Sequence, residues 1–217
     1  MSILVIAEHQ QQTLDPATLN TVTAAQQIGG EVDLLICGEN VSSVVNQAAK
    51  IEGINQVLVA DHACYKDQLP ENTSKLLLPL SENYTHVFAG ATTWGKNLLP
   101  RLAALLDVPQ LSEIIRIIDA NTFVRPIHAG NALATVQLEE TTILATVRTT
   151  NFDAVQYGDN QAVTVDLDDV YENDLSRFIA EDLSQSERPE LAAARIVISG
   201  GRGMRSGDNF SLLNNVA

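Results

Sequence analysis

Basic residues are scarce in this sequence. Lysine and arginine together number 13 against 27 aspartates and glutamates, and the 217 residues carry a formal net charge of −14. Phosphate backbones and anionic lipid headgroups repel such a chain, so the charge argues against nucleic acid as a partner and against binding to anionic membrane surfaces. An acidic surface remains compatible with a basic protein partner.

Cysteine is rarer still, with two residues in the chain. Cys37 and Cys64 lie far apart, and neither belongs to a Cys-x-x-Cys pair or a Cys/His cluster, so the sequence predicts neither a disulfide framework nor a metal site.

Long apolar runs are also missing. The run ILVIA at 3–7 is much shorter than the roughly 20 residues that span a bilayer, so we expect no direct membrane insertion. Its position leaves no room for a presequence, which predicts a cytoplasmic protein, or a mitochondrial matrix protein if the chain is eukaryotic.

Hydrolytic motifs are absent as well. The sequence has no G-x-S-x-G, no H-E-x-x-H and no clustered carboxylate pair. The four histidines are scattered. His86 lies in an apolar run and is predicted to be a hydrogen-bonded core residue, while His128 lies beside Gly130 and is predicted to occupy a turn. The sequence gives no reason to expect a hydrolytic active site.

Short apolar runs alternate with helical segments in the first half of the chain. The predicted strands are 3–8, 31–38, 56–61 and 85–90, and the predicted helices are 15–30, 42–53, 71–81 and 96–106. Continuous apolar strands that alternate with amphipathic helices are typical of a parallel sheet with helices on both faces. We therefore predict an α/β fold with a mostly parallel sheet.

The pattern changes after residue 110. Four strand-like runs follow without helices between them, and we predict that they form an antiparallel addition beside the parallel sheet: EIIRIID, TFVRPIHAG, NALATVQL and TILATVRT. Residues 159–190 then hold ten acidic side chains and two arginines, with one predicted helix at 173–183. This composition is typical of a linker between domains.

An ordered pattern resumes at residue 194. ARIVIS, a glycine-rich turn and the start of a helix form the first βα unit of a second, doubly wound domain. The predicted domains are therefore an N-terminal α/β domain at 1–153, an acidic linker at 154–193 and an incomplete second domain at 194–217.

Residues 90–97 resemble a phosphate-binding loop. Gly90, Gly95 and Lys96 fit G-x-x-x-x-G-K-[ST], but Asn97 stands where a Mg²⁺-binding hydroxyl is needed. Pro100 would also fall inside the following helix, where a backbone donor is required. We interpret the segment as a strand, a turn and a helix, in which glycine permits the close approach of backbone at the start of the helix.

The string SGGRG at 199–203 is the stronger candidate for a binding site. Ligands in open α/β sheets bind at the carboxyl ends of strands, where glycine lets them approach the backbone. We predict that Gly200, Gly201 and Gly203 permit this approach and that Arg202 supplies a permanent positive charge. On spacing alone, ligand binding and a simple tight turn both remain open.

Several longer strings occur in the order seen in one known family. They are LVIAEH, LNTVTAAQQIGGEV, GINQVLVAD, THVFAGATTWGKNLLPRLAALL, FVRPIHAGNALATV, RTTNFDA and ERPELAAARIVISGGRGMRSGDNF. Together they resemble the α subunit of electron transfer flavoprotein, over nearly all of the chain except the acidic linker.

The resemblance implies a heterodimer of α and β subunits with one FAD, held mainly by the C-terminal domain of the α subunit, and an AMP in the β subunit. The N-terminal domain would be a scaffold that contacts the β subunit. The implied function is that of an electron carrier, and not of a catalyst on its own. It would pass electrons from acyl-CoA and other flavin dehydrogenases to a membrane quinone oxidoreductase. Arg202 would lie near the flavin ring, where a cation favours its reduced, negatively charged forms.

Two alternatives stay open at this point. The chain could be a specialised paralogue that serves nitrogen fixation, carnitine metabolism or electron bifurcation. It could instead be an adenine-nucleotide-binding module, although the first strand ends in AEHQQQ, without the glycine loop that such a module needs. Because the sequence stops soon after Arg202, we expect this polypeptide alone to bind FAD weakly or not at all.

Overall fold

The computed structural model describes residues 1–10, 12–159, 161–180, 191, 194 and 196–216. The chain divides into two compact units, Met1–Phe178 and Ile179–Ala217. This division falls inside the predicted linker, and the predicted domain limits stay predictions.

The strands are β1 Ser2–Ile6, β2 His9–Gln10, β3 Thr13–Leu14, β4 Glu31–Gly38, β5 Ile54–Asp61, β6 His86–Gly90, β7 Gln110–Ile114, β8 Arg116–Ile117, β9 Thr122–Ile127, β10 Ala132–Gln137, β11 Ile143–Val147 and β12 Val163–Asp166. The helices are α1 Pro16–Ile28, α2 Ser42–Ala48, α3 Pro70–Leu80, α4 Thr93–Leu106 and α5 Ser211–Asn214.

A seven-stranded parallel sheet forms the centre of the first unit, in the order β12-β5-β4-β1-β6-β11-β7. Successive side chains of a strand point to opposite faces, so β1 contributes to two separate cores. Ile3 and Val5 pack with α1 and α2 on one face, while Leu4 and Ile6 pack with α3 and α4 on the other. The predicted α/β class with helices on both faces is confirmed.

The antiparallel addition is smaller than predicted. Strands β8, β9 and β10 form a three-stranded antiparallel sheet, and Phe123 of β9 packs edge-on against Phe88 of β6. The run TILATVRT was assigned wrongly, because it forms β11, which lies parallel between β6 and β7. All five residues of β11 are buried, whereas partly buried and exposed positions alternate along β10. A continuous apolar run is typical of a strand covered on both faces.

Helix ends follow local chemistry. Asp15 accepts a hydrogen bond from the Ala17 N–H at the start of α1, Pro16 occupies its first turn, and Gly29 ends it with a φ of 79°. Helix α4 begins at Thr93 and not at the predicted residue 96, because the Thr92 hydroxyl oxygen accepts a hydrogen bond from the Gly95 N–H. These caps fix where each helix leaves the sheet.

The predicted linker contains a strand that the sequence analysis missed. Residues of β12 pair in parallel with the open edge of β5. The predicted helix is not formed over 173–180, and 181–183 lie outside the described residues. The alternation of valine with polar residues at 163–166 was the available signal for a strand.

The described part of the second unit is short and largely exposed. Residues 196–199 are not paired as a strand, in contrast to the prediction, and 195 lies outside the described residues. Ile196 and Val197 are 72% and 54% exposed, respectively. An isolated strand has no neighbour for its backbone groups, which accounts for the difference. The predicted helix start is present as the single turn of α5.

Candidate functional site

The predicted binding residues lie together in one tight turn of the second unit. Gly201 precedes a single 3₁₀ turn, Arg202–Met204, in which the Met204 N–H donates to the Gly201 carbonyl at 3.0 Å. The Arg202 side chain is exposed, and within the described residues no carboxylate forms an ion pair with it. The turn therefore presents a cation to solvent.

The glycines of this turn differ in their steric surroundings. A Cβ atom added at Gly200 would meet Leu213 and Met204, each at 2.8 Å, so the chain's own packing accounts for that glycine. A Cβ at Gly201 or Gly203 would meet no described atom within 4 Å, and neither residue adopts the left-handed conformation that glycine favours. The described structure gives no internal reason for these two glycines. An open backbone beside a cation fits the approach of an anionic cofactor such as FAD.

The glycine-lysine segment at 90–96 has a structural explanation. A Cβ at Gly95 would overlap the Gly90 carbonyl oxygen, so glycine here permits helix α4 to pack on the end of β6. The Lys96 ammonium lies 2.5 Å from Glu113 Oε1, and Arg148 Nη2 lies 2.7 Å from Glu113 Oε2. The lysine is therefore engaged in an ion pair within the protein. These contacts support the interpretation of the segment as strand, turn and helix.

The Lys96–Glu113–Arg148 cluster has a definite electrostatic consequence. The Lys96 hydrogen bond and the charges of both cations hold the pKa of Glu113 below its ordinary value. Glu113 has a φ of 56°, and its N–H donates to Thr146 Oγ1 at 2.9 Å. The cluster thus fixes an unfavourable backbone conformation next to the bulge between β7 and β11.

Nucleotides in open α/β folds bind where the strand order reverses, which is between β1 and β6 in this sheet. The chain's own side chains bridge that crevice. The Thr92 hydroxyl donates to Glu8 Oε2 at 2.6 Å, and Thr18 both donates to the Glu8 carbonyl and accepts from the Glu8 N–H. Burial raises the pKa of Glu8, although the Thr92 hydrogen bond opposes the shift. A nucleotide phosphate would meet a carboxylate here, so the geometry does not favour an adenine-nucleotide module.

His86 and His128 have the structural roles that the sequence predicted. His86 is buried, and its Nε2 lies 2.7 Å from the Ala120 carbonyl oxygen. His128 is exposed in the turn before β10, with a φ of 51°. Both predictions are confirmed. His9 is buried in β2, where its Nε2 lies 3.0 Å from the Cys37 carbonyl oxygen and burial lowers its pKa.

One cluster was missed by the sequence analysis. His62 and Cys64 lie near Glu172 on the first unit, although more than 100 residues separate them in sequence. The His-x-Cys spacing was the only local signal. Strand β12 pairs with β5 and so returns the chain to the neighbourhood of His62 and Cys64. The sequence pattern of the linker did not predict this pairing.

Comparison with known proteins gives one consistent family. The electron transfer flavoprotein domain matches residues 3–171, which include the whole parallel sheet apart from Ser2. The electron transfer flavoprotein subunit alpha of Pseudomonas aeruginosa is 54% identical, over 98% of this chain and 69% of that protein. The subunit alpha of Paracoccus denitrificans is 39% identical, over 100% and 70%, and the probable mitochondrial one of Caenorhabditis elegans is 41% identical, over 100% and 66%.

The match and the sheet topology define an electron transfer flavoprotein domain. Within that class, the chain belongs to the family of electron transfer flavoprotein alpha subunits. It spans about two thirds of the length of the curated relatives it matches. Within the described residues, no helix combines the length and apolar character that crossing a membrane requires.

Proposed function

We propose that this chain acts in an electron transfer flavoprotein as the α subunit of an α/β heterodimer. It would carry electrons from acyl-CoA and other flavin dehydrogenases to a membrane quinone oxidoreductase, in the cytoplasm or the mitochondrial matrix, and would not be a catalyst on its own. The observation that carries the proposal is the family match over residues 3–171 together with 54% identity to a subunit alpha.

FAD is the proposed cofactor, and it supplies reversible acceptance and donation of electrons when bound. Arg202 would hold it, because an exposed guanidinium with no ion pair among the described residues is available to an anionic group. Gly201 and Gly203 would admit it, because neither glycine is required by the chain's own packing. Negative charge near Arg202 is favoured most when water is excluded from the turn.

The first unit is proposed as a scaffold for the β subunit, which would hold an AMP. The bridge between Glu8 and Thr92 supports this division of roles, since it occupies the crevice where a nucleotide would otherwise bind. The name subunit alpha, which the relatives carry, also supports a partner subunit.

The test is the visible absorption spectrum of the chain co-purified with an electron transfer flavoprotein β subunit. With a complete α subunit, we expect a flavin band that corresponds to one FAD per heterodimer, bleached by a reduced acyl-CoA dehydrogenase and restored by quinone oxidoreductase. The 217-residue chain alone is expected to bind FAD weakly or not at all. Failure to associate with the β subunit would contradict the proposed partner. An associated but colourless complex would contradict FAD binding by this chain and leave only the scaffold role.

A further inference from the structure

Three side chains with different metal-binding atoms meet on the surface of the first unit. A ring nitrogen of His62, the sulfur of Cys64 and a carboxylate oxygen of Glu172 all lie within 4.8 Å of one another. His62 and Glu172 are exposed, and Cys64 is half-buried. In the part of the chain that the structure describes, this is the one group of three such side chains with this spacing.

Two of the ligands come from one turn. His62 follows β5 and precedes the 3₁₀ turn Ala63–Tyr65, and the Cys64 N–H donates to His62 Nδ1 at 3.2 Å. This contact holds the imidazole beside the thiol. Zinc would take the lone pair of one ring nitrogen, and this hydrogen bond is lost if that nitrogen is Nδ1.

The third ligand comes from residues 167–178, which follow β12 and are called the strap here. Hydrogen bonds fix the strap on both sides of Glu172. The Tyr171 N–H donates to the Tyr65 hydroxyl at 3.0 Å, and Asn173 Nδ2 donates to Asn72 Oδ1. Lys75 Nζ donates to the Glu172 backbone carbonyl at 3.0 Å, which leaves the Glu172 carboxylate for another partner.

The surroundings of Cys64 disfavour its thiolate in the absence of a cation. Burial raises the pKa of the Cys64 thiol, and the charge of Glu172 raises it further. A divalent cation offsets the effect of the Glu172 charge and favours the thiolate, and the thiol proton then passes to solvent. Sulfur, imidazole nitrogen and one carboxylate oxygen form a ligand set that suits zinc, with a water in the fourth position.

We propose that His62, Cys64 and Glu172 bind Zn²⁺ and that the metal fastens the strap to the turn after β5. Zinc bonds of about 2.0–2.3 Å in a tetrahedron place ligand atoms about 3.5 Å apart, so the three side chains must close by roughly 1 Å. The exposed His62 and Glu172 side chains can make that adjustment by rotation. The site is independent of the proposed electron transfer.

The test is titration of the reduced 217-residue chain with Co²⁺, a spectroscopic substitute for zinc. We expect a thiolate-to-cobalt charge-transfer band that saturates at one equivalent and disappears when Zn²⁺ is added. Cys64→Ser should abolish the band. Glu172→Gln should weaken Co²⁺ binding by at least the roughly 10–100-fold that loss of an outer-shell partner costs. His128→Gln and Glu140→Gln, which alter exposed residues elsewhere, should leave the titration unchanged.

Three results would overturn the proposal. They are the lack of a thiolate band, a band that survives in Cys64→Ser and so belongs to Cys37, and equal Co²⁺ affinity in Glu172→Gln and the unsubstituted chain. Hydrogen exchange provides a second readout. Zn²⁺ should slow exchange at the amides of 171–175 in the unsubstituted chain and not in Glu172→Gln, and unchanged exchange in both would contradict the fastening role.

Discussion

Residues 90–96 and residues 199–203 both set a basic side chain among glycines, one segment in each unit. In the first, Gly95 packs against the Gly90 carbonyl and Lys96 pairs with Glu113. In the second, Gly201 and Gly203 face open space, and Arg202 has no ion pair within the described residues. The comparison shows that a glycine-rich segment with a cation indicates a binding site only when its atoms are not already used by the fold.

The largest effect should come from replacing the first segment's packed glycine. Gly95→Ala places a Cβ on the Gly90 carbonyl oxygen, and we expect a loss of about 3 kcal/mol in the free energy of unfolding, the upper range for overpacking. Helix propensity alone would favour alanine by about 1 kcal/mol, so a stabilised variant would show that the overlap relaxes freely. Urea denaturation measures the change. Gly203→Ala is the matched control and should alter the unfolding free energy by less than about 0.5 kcal/mol.

The two cations should differ in their effect on cofactor binding. Arg202→Gln removes a charge-assisted interaction worth about 1.5–3 kcal/mol, so we expect FAD affinity of the heterodimer to fall roughly 10–100-fold. Lys96→Gln should leave FAD affinity unchanged, because its partner is Glu113. Quenching of flavin fluorescence measures both. Equal losses in the two variants would remove the distinction between the segments.

A smaller effect is expected at the cap of α4. Thr92→Val removes the hydroxyl that accepts from the Gly95 N–H and donates to Glu8, and should cost about 1–2 kcal/mol of stability. Thr92→Ser keeps the hydroxyl and serves as the control in thermal unfolding. If the valine and serine variants have the same melting temperature, the bridge across the crevice contributes no stability.

The smallest effects are those of pH, and they have opposite signs for two carboxylates. The lowered pKa of Glu113 contributes stability that is present above its ordinary pKa of about 4.5 and is lost as the pH falls through the folded value. The raised pKa of Glu8 acts in the other direction, so the folded state gains stability as the pH falls through that value. NMR titration of both side-chain carboxyls should show these opposite shifts. Lys96→Gln should raise the Glu113 pKa, and Thr92→Val should raise that of Glu8, while the same pKa in variant and parent would contradict the assigned cause.

Strong local patterns made most of the first unit predictable. Asp15, Pro16 and Gly29 marked the ends of α1, and the alternation of apolar strands with helices indicated the parallel sheet. Pairing partners were not predictable in the same way. Whether β11 joins β6 depends on contacts between residues more than 50 positions apart, which sequence periodicity does not encode.

The same distinction between local and long-range contacts separates the site residues that were predicted from those that were missed. The Arg202 turn was found because glycines and arginine are adjacent in sequence, whereas Glu172 approaches Cys64 only through the return of β12 to β5. The closure of the crevice by Thr92 was also not predictable, since it joins the ends of β1 and β6 through one hydroxyl.

The strand order also constrains how the chain can fold during synthesis. Strands β5, β4, β1 and β6 come from the first 90 residues and lie next to one another, so they can assemble early. Strand β7 is made next but has no neighbour in the sheet until β11 has emerged, some 30 residues later, and β5 stays an open edge until β12 is made. Open edges pair readily with other chains, so the nascent polypeptide is most vulnerable to aggregation between these two stages.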